Sequence, residues 1–387
     1  MGNFWEKSDW ESGDQHLAAV LKMPFQRRFP SIELKSGLFA IRGPRQIGKS
    51  SWMKSLLSRE LGRKRKCHYV SCENIEDYRD LTLLLQSLEN VEIIFLDEIT
   101  FVKEWTRSIK HQIDMGSKQV FVVTGSNAAD IRRGIDLMPG RWGAGGEFLL
   151  QPMLFDEFSE MRRLAGWKRS DRVEELELYF RTGGFPLAVA EAGEKSAVPK
   201  KAMQLYWQWL KGDVIKLGKQ ELYLKELLGQ LAKSLCTPMS LQSLAQKTQM
   251  GSHHTAQEYV AILEDCFALK TLFAIDVDGG NFRFKKNKKF YFTDPLVYWI
   301  ALEKGGYKIP ENFSEKLAEM VAHELLSRKG AKFGYFSSKA GEVDFVAPGG
   351  WAIEVKWVDA VTQISSAYKN LRIARKKVWS KSNFLAE

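Results

Sequence analysis

The run GPRQIGKS, residues 43 to 50, places two glycines, a lysine and a serine at the fixed positions of the pattern G-x-x-x-x-G-K-[ST]. Those residue types at that spacing bind a triphosphate. The glycines leave room for the backbone to wrap a phosphate, the loop N–H groups point inward, and the following helix adds its positive N-terminal end. The expected contact stretch is Gly43, Pro44, Arg45, Gln46, Ile47, Gly48, Lys49, Ser50 and Ser51. Lys49 would reach the β- and γ-phosphates and the Ser50 hydroxyl would ligate Mg²⁺, so ATP and Mg²⁺ are the expected cofactors. A second element lies one strand-helix-strand unit downstream. The apolar run VEIIFL ends directly in Asp97-Glu98. A carboxylate at the end of a buried strand can hold Mg²⁺ through water, which assigns Asp97 to metal, and its neighbour Glu98 can act as general base on the attacking water.

A third set of reactive residues sits near the C-terminal end, in GEVDFVAPGGWAIEVKW, residues 341 to 357. Period-two alternation puts Val343, Phe345 and Ala347 on one face of a first strand and Trp351, Ile353, Val355 and Trp357 on one face of a second, around a Pro-Gly-Gly turn. A three-residue loop would set Ala347 opposite Trp351 and Asp344 opposite Glu354. Two facing carboxylates repel, and a divalent cation between them would remove the conflict. Lys356, two residues on along the same face, could position or deprotonate a water. This is the D-x(n)-E-x-K arrangement of a PD-(D/E)XK site, with Asp344, Glu354 and Lys356 as catalytic candidates and Mg²⁺ as metal.

The elements that must carry these groups follow from the pattern of apolar runs. Between residues 37 and 150, β-rich runs (Leu38 to Ile41, His68 to Ser71, Val91 to Leu96, Gln119 to Thr124, Glu147 to Leu150) alternate with helical stretches, predicting an α/β fold with a five-stranded parallel sheet. A length of 387 residues implies two or three domains, and 44% hydrophobic with 27% charged residues is the composition of globular protein. No run of 18 apolar residues and no signal-peptide layout is present, so a cytoplasmic protein without membrane contact is expected. Four cysteines without paired spacing point to reduced thiols, not a metal site. A net charge of +10 favours an acidic partner, with nucleic acid foremost.

The order GPRQIGKS, FLDE, TGSN, PGRW, LQPMLFDEF, YFRTGGFPLAV resembles the archaeal-type AAA+ ATPases found in archaea and bacteria, over nearly the whole chain. The resemblance implies four domains: a P-loop core (1–150), a helical lid (151–236), a winged helix (237–304) and a C-terminal PD-(D/E)XK nuclease-like domain (305–387). It implies further that Asn127 or Ser126, after the fourth strand, senses the γ-phosphate. It also implies that an arginine before the fifth strand reaches a neighbouring subunit's nucleotide, as Arg141 or its competitors Arg132 and Arg133 could, making a homo-oligomer or ring. Glu319, or Glu324 as fallback, takes the place of the family's helix glutamate among the metal ligands.

LQSLAQ, the turn at Met250-Gly251 and a helix capped by Ser252 fit a helix-turn-helix, with Ala256, Val260 and Leu263 facing inward. Between the runs FALKTLFAID and KFYFTD, a hairpin tip with Arg283, Lys285, Lys286, Lys288 and Lys289 could grip nucleic-acid phosphates without reading sequence. The recognition-position helix offers His253, His254 and Gln257 but no arginine. Residues 361 to 376 look helical and basic. The expected activity is therefore an Mg²⁺-dependent ATPase acting on DNA, its C-terminal domain cutting or gripping it. The alternative is a nucleotide-driven switch whose outer domains make protein contacts without cleavage.

Overall fold

Short apolar runs buried on both faces, such as Ile93–Asp97 and Val120–Thr124, are what a parallel sheet covered by crossover helices requires. The structure, a computed structural model, describes residues 13–125, 131, 134, 136, 138, 140–168, 170–194 and 198–384. The chain divides into two compact units, Met1–Gln151 and Pro152–Glu387.

In the first unit, helix α1 (Gln15–Leu21) precedes strand β1 (Gly37–Arg42). Then follow α2 (Lys49–Gly62), β2 (Cys67–Ser71), α3 (Tyr78–Ser87), β3 (Ile93–Asp97), α4 (Thr106–Asp114), β4 (Val120–Thr124) and β5 (Gly146–Leu149). All five expected strands form, in the order β2-β3-β4-β1-β5, with every pairing parallel. This order sets β4 between β1 and β3, so the loops leaving the carboxyl ends of those three strands meet at one edge of the sheet. Ligands of open α/β sheets sit at such an edge. Leu38, Ala40, Ile94, Leu96, Phe121 and Val123 pack with Leu81, Leu85 and Ile109 of α3 and α4 into one core beneath it.

The second unit opens with helices α5 (Phe155–Leu164), α6 (Arg172–Thr182), α7 (Pro186–Ala192), α8 (Lys200–Lys216) and α9 (Glu221–Lys233). Next come α10 (Leu241–Gln246), α11 (His253–Asp265), an antiparallel pair β6 (Leu269–Phe273) and β7 (Lys288–Phe292), and α12 (Pro295–Lys304). Ser240 and Ser252 cap α10 and α11 through Ser243 N and Thr255 N. The GGFP segment has a mechanical role here. Gly184 N donates to Asp294 Oδ2 (2.7 Å), while Asp294 Oδ1 accepts from Leu296 N (2.8 Å) to cap α12. A Cβ on Gly184 would strike the Met153 carbonyl, which Tyr179 OH also uses as acceptor. Gly184→Ala is therefore expected to cost about 3 kcal/mol by overpacking. Denaturant unfolding of the full chain measures it, and an unchanged midpoint would refute this account of the glycine.

The unit ends with α13 (Phe313–Arg328), β8 (Gly334–Ser338), β9 (Gly341–Ala347), β10 (Trp351–Val355), α14 (Ser366–Asn370) and β11 (Arg375–Trp379). Their sheet runs β11-β10-β9-β8, with β10 and β11 parallel and the other pairs antiparallel. Trp351 does pair with Ala347 across a three-residue turn, as the parity argument required. Two expectations fail. The basic helix over residues 361 to 376 shrinks to the single turn and a half of α14, and Arg375–Trp379 instead becomes a strand on β10. Strict alternation in β9 also breaks, because an irregularity in its pairing with β8 shifts the register. Val343 and Val346 both join a cluster with Ala367, Tyr368 and Leu371, while Phe345 turns towards His323 of α13.

Candidate functional site

At the end of β1 the chain reverses tightly enough that Gly43 adopts φ 152°, where a Cβ would strike the Leu150 carbonyl. Gln46 takes a left-handed φ of 54° and Gly48 one of 102°, which turns the loop into the N-terminus of α2. Lys49, at the first helical position, is buried and donates through Nζ to the carbonyls of Pro44 (2.9 Å) and Gly43 (3.2 Å). The ammonium is thereby held inside the loop it serves. Ser50 Oγ donates to Asp97 Oδ1 (3.1 Å), joining the loop to the end of β3. Asp97 is itself fixed by Tyr69 OH on Oδ2 (2.7 Å) and by Thr124 Oγ1 on Oδ1. Glu98 follows in a left-handed conformation (φ 54°), its N–H donating to Thr124 Oγ1 (3.2 Å). A hydroxyl and a carboxylate in contact, at the foot of a phosphate-binding loop, suit an oxygen-preferring ion, so Ser50 and Asp97 are the residues that would hold Mg²⁺.

The leading segment closes on this loop. Arg27 donates to the carbonyls of Ile47 (3.1 Å) and Gln151 (2.7 Å). Phe29 stacks on Trp52 of α2, with ring centroids 6.0 Å apart and planes 11° from parallel. Arg141 makes a two-pronged contact with Asp114 at the end of α4, Nε to Oδ1 (2.7 Å) and Nη2 to Oδ2 (3.1 Å). Asn127, Ser126, Arg132 and Arg133 lie outside the described residues.

The C-terminal carboxylates do come together, but around a different partner. Lys289, expected on an exposed hairpin tip, is fully buried in β7. Its Nζ lies 2.8 Å from Glu319 Oε1, 2.6 Å from Glu342 Oε1 and 3.3 Å from Asp344 Oδ1. Tyr291, two residues along the same face of β7, donates its hydroxyl to Glu319 Oε1 (2.6 Å). Asp344 Oδ2 accepts from Val355 N (2.9 Å). Glu354 and Lys356 pair with each other at 3.0 Å, and Glu354 Oε2 is buried without a hydrogen-bond partner. Glu324 lies elsewhere, paired with Arg328 (2.7 Å) and Lys270 (2.7 Å).

Electrostatics follow the burial. Desolvation, and then the Asp344 charge, push the Glu319 carboxyl up to about 7. Burial raises Glu342 and Glu354 as well. Burial opposes a charged Lys289, yet Glu319, Asp344 and Glu342 outweigh it and raise its pKa well above the ordinary value. Burial opposes a charged Lys356 too, yet Glu354, Asp344 and Glu319 together outweigh it and raise its pKa, which makes it a poor base. Among the described residues, no group of three or more His, Cys, Asp or Glu side chains is disposed to hold a metal ion. The expected divalent site at Glu319, Asp344 and Glu354 therefore does not fit these residues as they stand, because the Lys289 ammonium bridges Glu319 and Asp344 while Glu354 is paired with Lys356.

Comparison with known proteins bears on the first unit. Residues 35–159 match the family model of the AAA domain. Residues 173–304 match a second family model, described only as a domain of unknown function. No curated protein matches the chain. Solved structures that resemble it include the Walker-type ATPase paby2304 of Pyrococcus abyssi (14% identity, 77% of this chain and 96% of that one, TM-score 0.47). Others are the ORC2 protein of Aeropyrum pernix (13%, 76% and 89%, TM-score 0.40) and the Thermotoga maritima RuvB Holliday junction branch migration motor (14%, 72% and 89%, TM-score 0.32). No described helix is long and apolar enough to cross a membrane.

Around the 43–50 loop, the sequence pattern named Lys49, Ser50, Asp97 and Glu98 but not Tyr69, Thr124 or Arg27. Thr124 could have been found, as the polar residue closing an otherwise apolar strand beside β3. Tyr69 had one weak signal, a phenol inside a strand whose partner register sets Ser71 against Asp97.

Proposed function

We propose that this chain is an Mg²⁺-dependent ATPase that uses hydrolysis to engage nucleic acid, DNA foremost. The hydrogen bond from Ser50 to Asp97, with Lys49 held one residue before it inside the loop, carries the reading, since it unites the phosphate cradle and the acidic strand end. Lys49 would leave its loop carbonyls for the β- and γ-phosphate oxygens. Glu98, on a backbone pinned by Thr124, would take the proton of the attacking water. Mg²⁺, when bound, supplies charge neutralisation to the phosphates. Arg141, facing outward on Asp114, would serve a neighbouring subunit, which makes a homo-oligomer the working form.

Nucleic-acid contact is assigned to residues 237–304, read as a winged helix. Arg283, Lys285 and Lys286 are exposed on the loop between β6 and β7, and Lys288 stands at its base with Nζ on Phe284 O (2.9 Å). The net charge of +10 supports the same partner. Residues 305–387, in the order helix, three strands, helix, strand, are read as a nuclease-like fold that grips substrate without cutting it. A second reading, a nucleotide-driven switch making protein contacts, is favoured by the arginine-free α11.

The discriminating experiment is DNA-stimulated ATPase activity across a salt series. Stimulation that falls with salt is expected, and Arg283→Ala, Lys285→Ala and Lys286→Ala together should lower the slope of log affinity against log salt by about 3. Indifference to DNA at low salt would leave the switch reading standing in its place.

A further inference from the structure

We propose that Lys289 is the resident cation of the C-terminal carboxylate cluster, standing where a divalent ion would stand, so that the wild-type site takes up no Mg²⁺ or Mn²⁺. An ammonium has three N–H donors and no acceptor. Lys289 meets three carboxylates, Glu319, Glu342 and Asp344, at hydrogen-bonding or ion-pair distance, which uses every donor. The side chain is completely buried, with the Tyr335 ring 5.7 Å away from Nζ. Mg²⁺ takes oxygen ligands at about 2.0–2.1 Å in an octahedral array, and the space among these three carboxylates is already taken by Nζ, 2.8, 2.6 and 3.3 Å from their oxygens. A divalent ion beside a buried ammonium would also meet repulsion in a medium that screens poorly.

The lysine comes from a different part of the chain than the carboxylates. Glu319 lies on α13 and Glu342 and Asp344 on β9, whereas Lys289 lies on β7, the strand that leaves the basic loop. The chain just past β6 is tied to the C-terminal sheet too, where Ile275 N donates to Tyr335 O (2.9 Å). Lys289 thus does two things a free metal ion could not do: it is never lost by chelation, and it fastens the base of the basic loop to the acidic centre. Glu354 is held by Lys356 and not by Lys289, and its Oε2 is buried without a hydrogen-bond partner.

Removing the ammonium while keeping the bulk of the side chain should convert the cluster into a divalent site. Mn²⁺ binding to the full chain is measured by titration calorimetry in wild type, Lys289→Met, Asp344→Asn and the Lys289→Met/Asp344→Asn double variant. Wild type, Asp344→Asn and the double variant are expected to take up the same amount of Mn²⁺, that of the nucleotide unit, while Lys289→Met takes up one further ion per chain. Two results would overturn the proposal: an extra Mn²⁺ in wild type that Asp344→Asn removes, or a folded Lys289→Met that gains none. If Lys289→Met does not fold, wild type against Asp344→Asn still decides, since equal uptake is expected and greater uptake by wild type contradicts it. Mg²⁺-dependent strand cleavage by wild type that Asp344→Asn abolishes would contradict it as well.

Discussion

Lys49→Ala should reduce ATP hydrolysis by roughly 10²- to 10³-fold, the scale on which a pre-placed donor to developing phosphate charge matters. The position in which the ammonium is held sets this scale. Lys49 is buried, and both of its loop acceptors are carbonyls of the same turn that its own α2 terminates. Bound triphosphate oxygens would replace those carbonyls with far stronger, charge-assisted partners. Alanine removes the positive charge but preserves the helix, because α2 starts from the backbone geometry of Gln46 and Gly48 and not from the lysine side chain. Stability should therefore change little while nucleotide affinity and turnover fall together. Phosphate release by the purified variant at wild-type rate would refute the assignment.

Glu98→Gln should separate binding from chemistry. The amide cannot accept the water proton, and loss of a general base lowers turnover by about 10²- to 10⁴-fold. Binding should survive, because the groups that would meet the phosphates and the ion, Lys49, Ser50 and Asp97, are untouched, and the Glu98 backbone stays pinned to Thr124 Oγ1. A nucleotide-binding titration alongside single-turnover hydrolysis reads both quantities. Lost binding would show that Glu98 supports the loop or the metal, and an unchanged turnover would remove it from the chemistry.

The nucleotide end of the molecule was legible in sequence for a physical reason: a phosphate loop is local, so one run of eight residues carries its glycines, lysine and hydroxyl. The strands were equally readable, since burial on both faces leaves unbroken apolar runs such as IIFL and VFVV. What escaped were partners supplied across the sheet. Tyr69 and Thr124 complete the Asp97 site from β2 and β4, and only the polar close of the otherwise apolar β4 hints at that role.

Lys289 is the instructive error. Counted with Lys285, Lys286 and Lys288, it looked like one more solvated charge on a hairpin tip. Its two-residue relation to Tyr291 placed it on the inward face of β7, and only the long-range arrival of α13 and β9 gave that face its carboxylates. The Asp344 and Glu354 constellation was right in its loop register and incomplete in its chemistry, because the charge that balances the cluster comes from Lys289, 55 positions before Asp344. The α14 segment failed for another reason. Leu371 leaves the helical conformation directly after Asn370, and RKKVW, without period-two alternation, pairs with β10 as an edge strand that sequence periodicity alone could not assign.

The central claim is that the cradle at residues 43 to 51 and the acid pair at the end of β3 form one hydrolytic site. Phosphate release from ATP by the purified full chain tests it most directly, measured with Mg²⁺ and with EDTA, in the presence and absence of duplex DNA. Saturable, Mg²⁺-dependent release is expected. No release above background in wild type under any of these conditions would contradict the account.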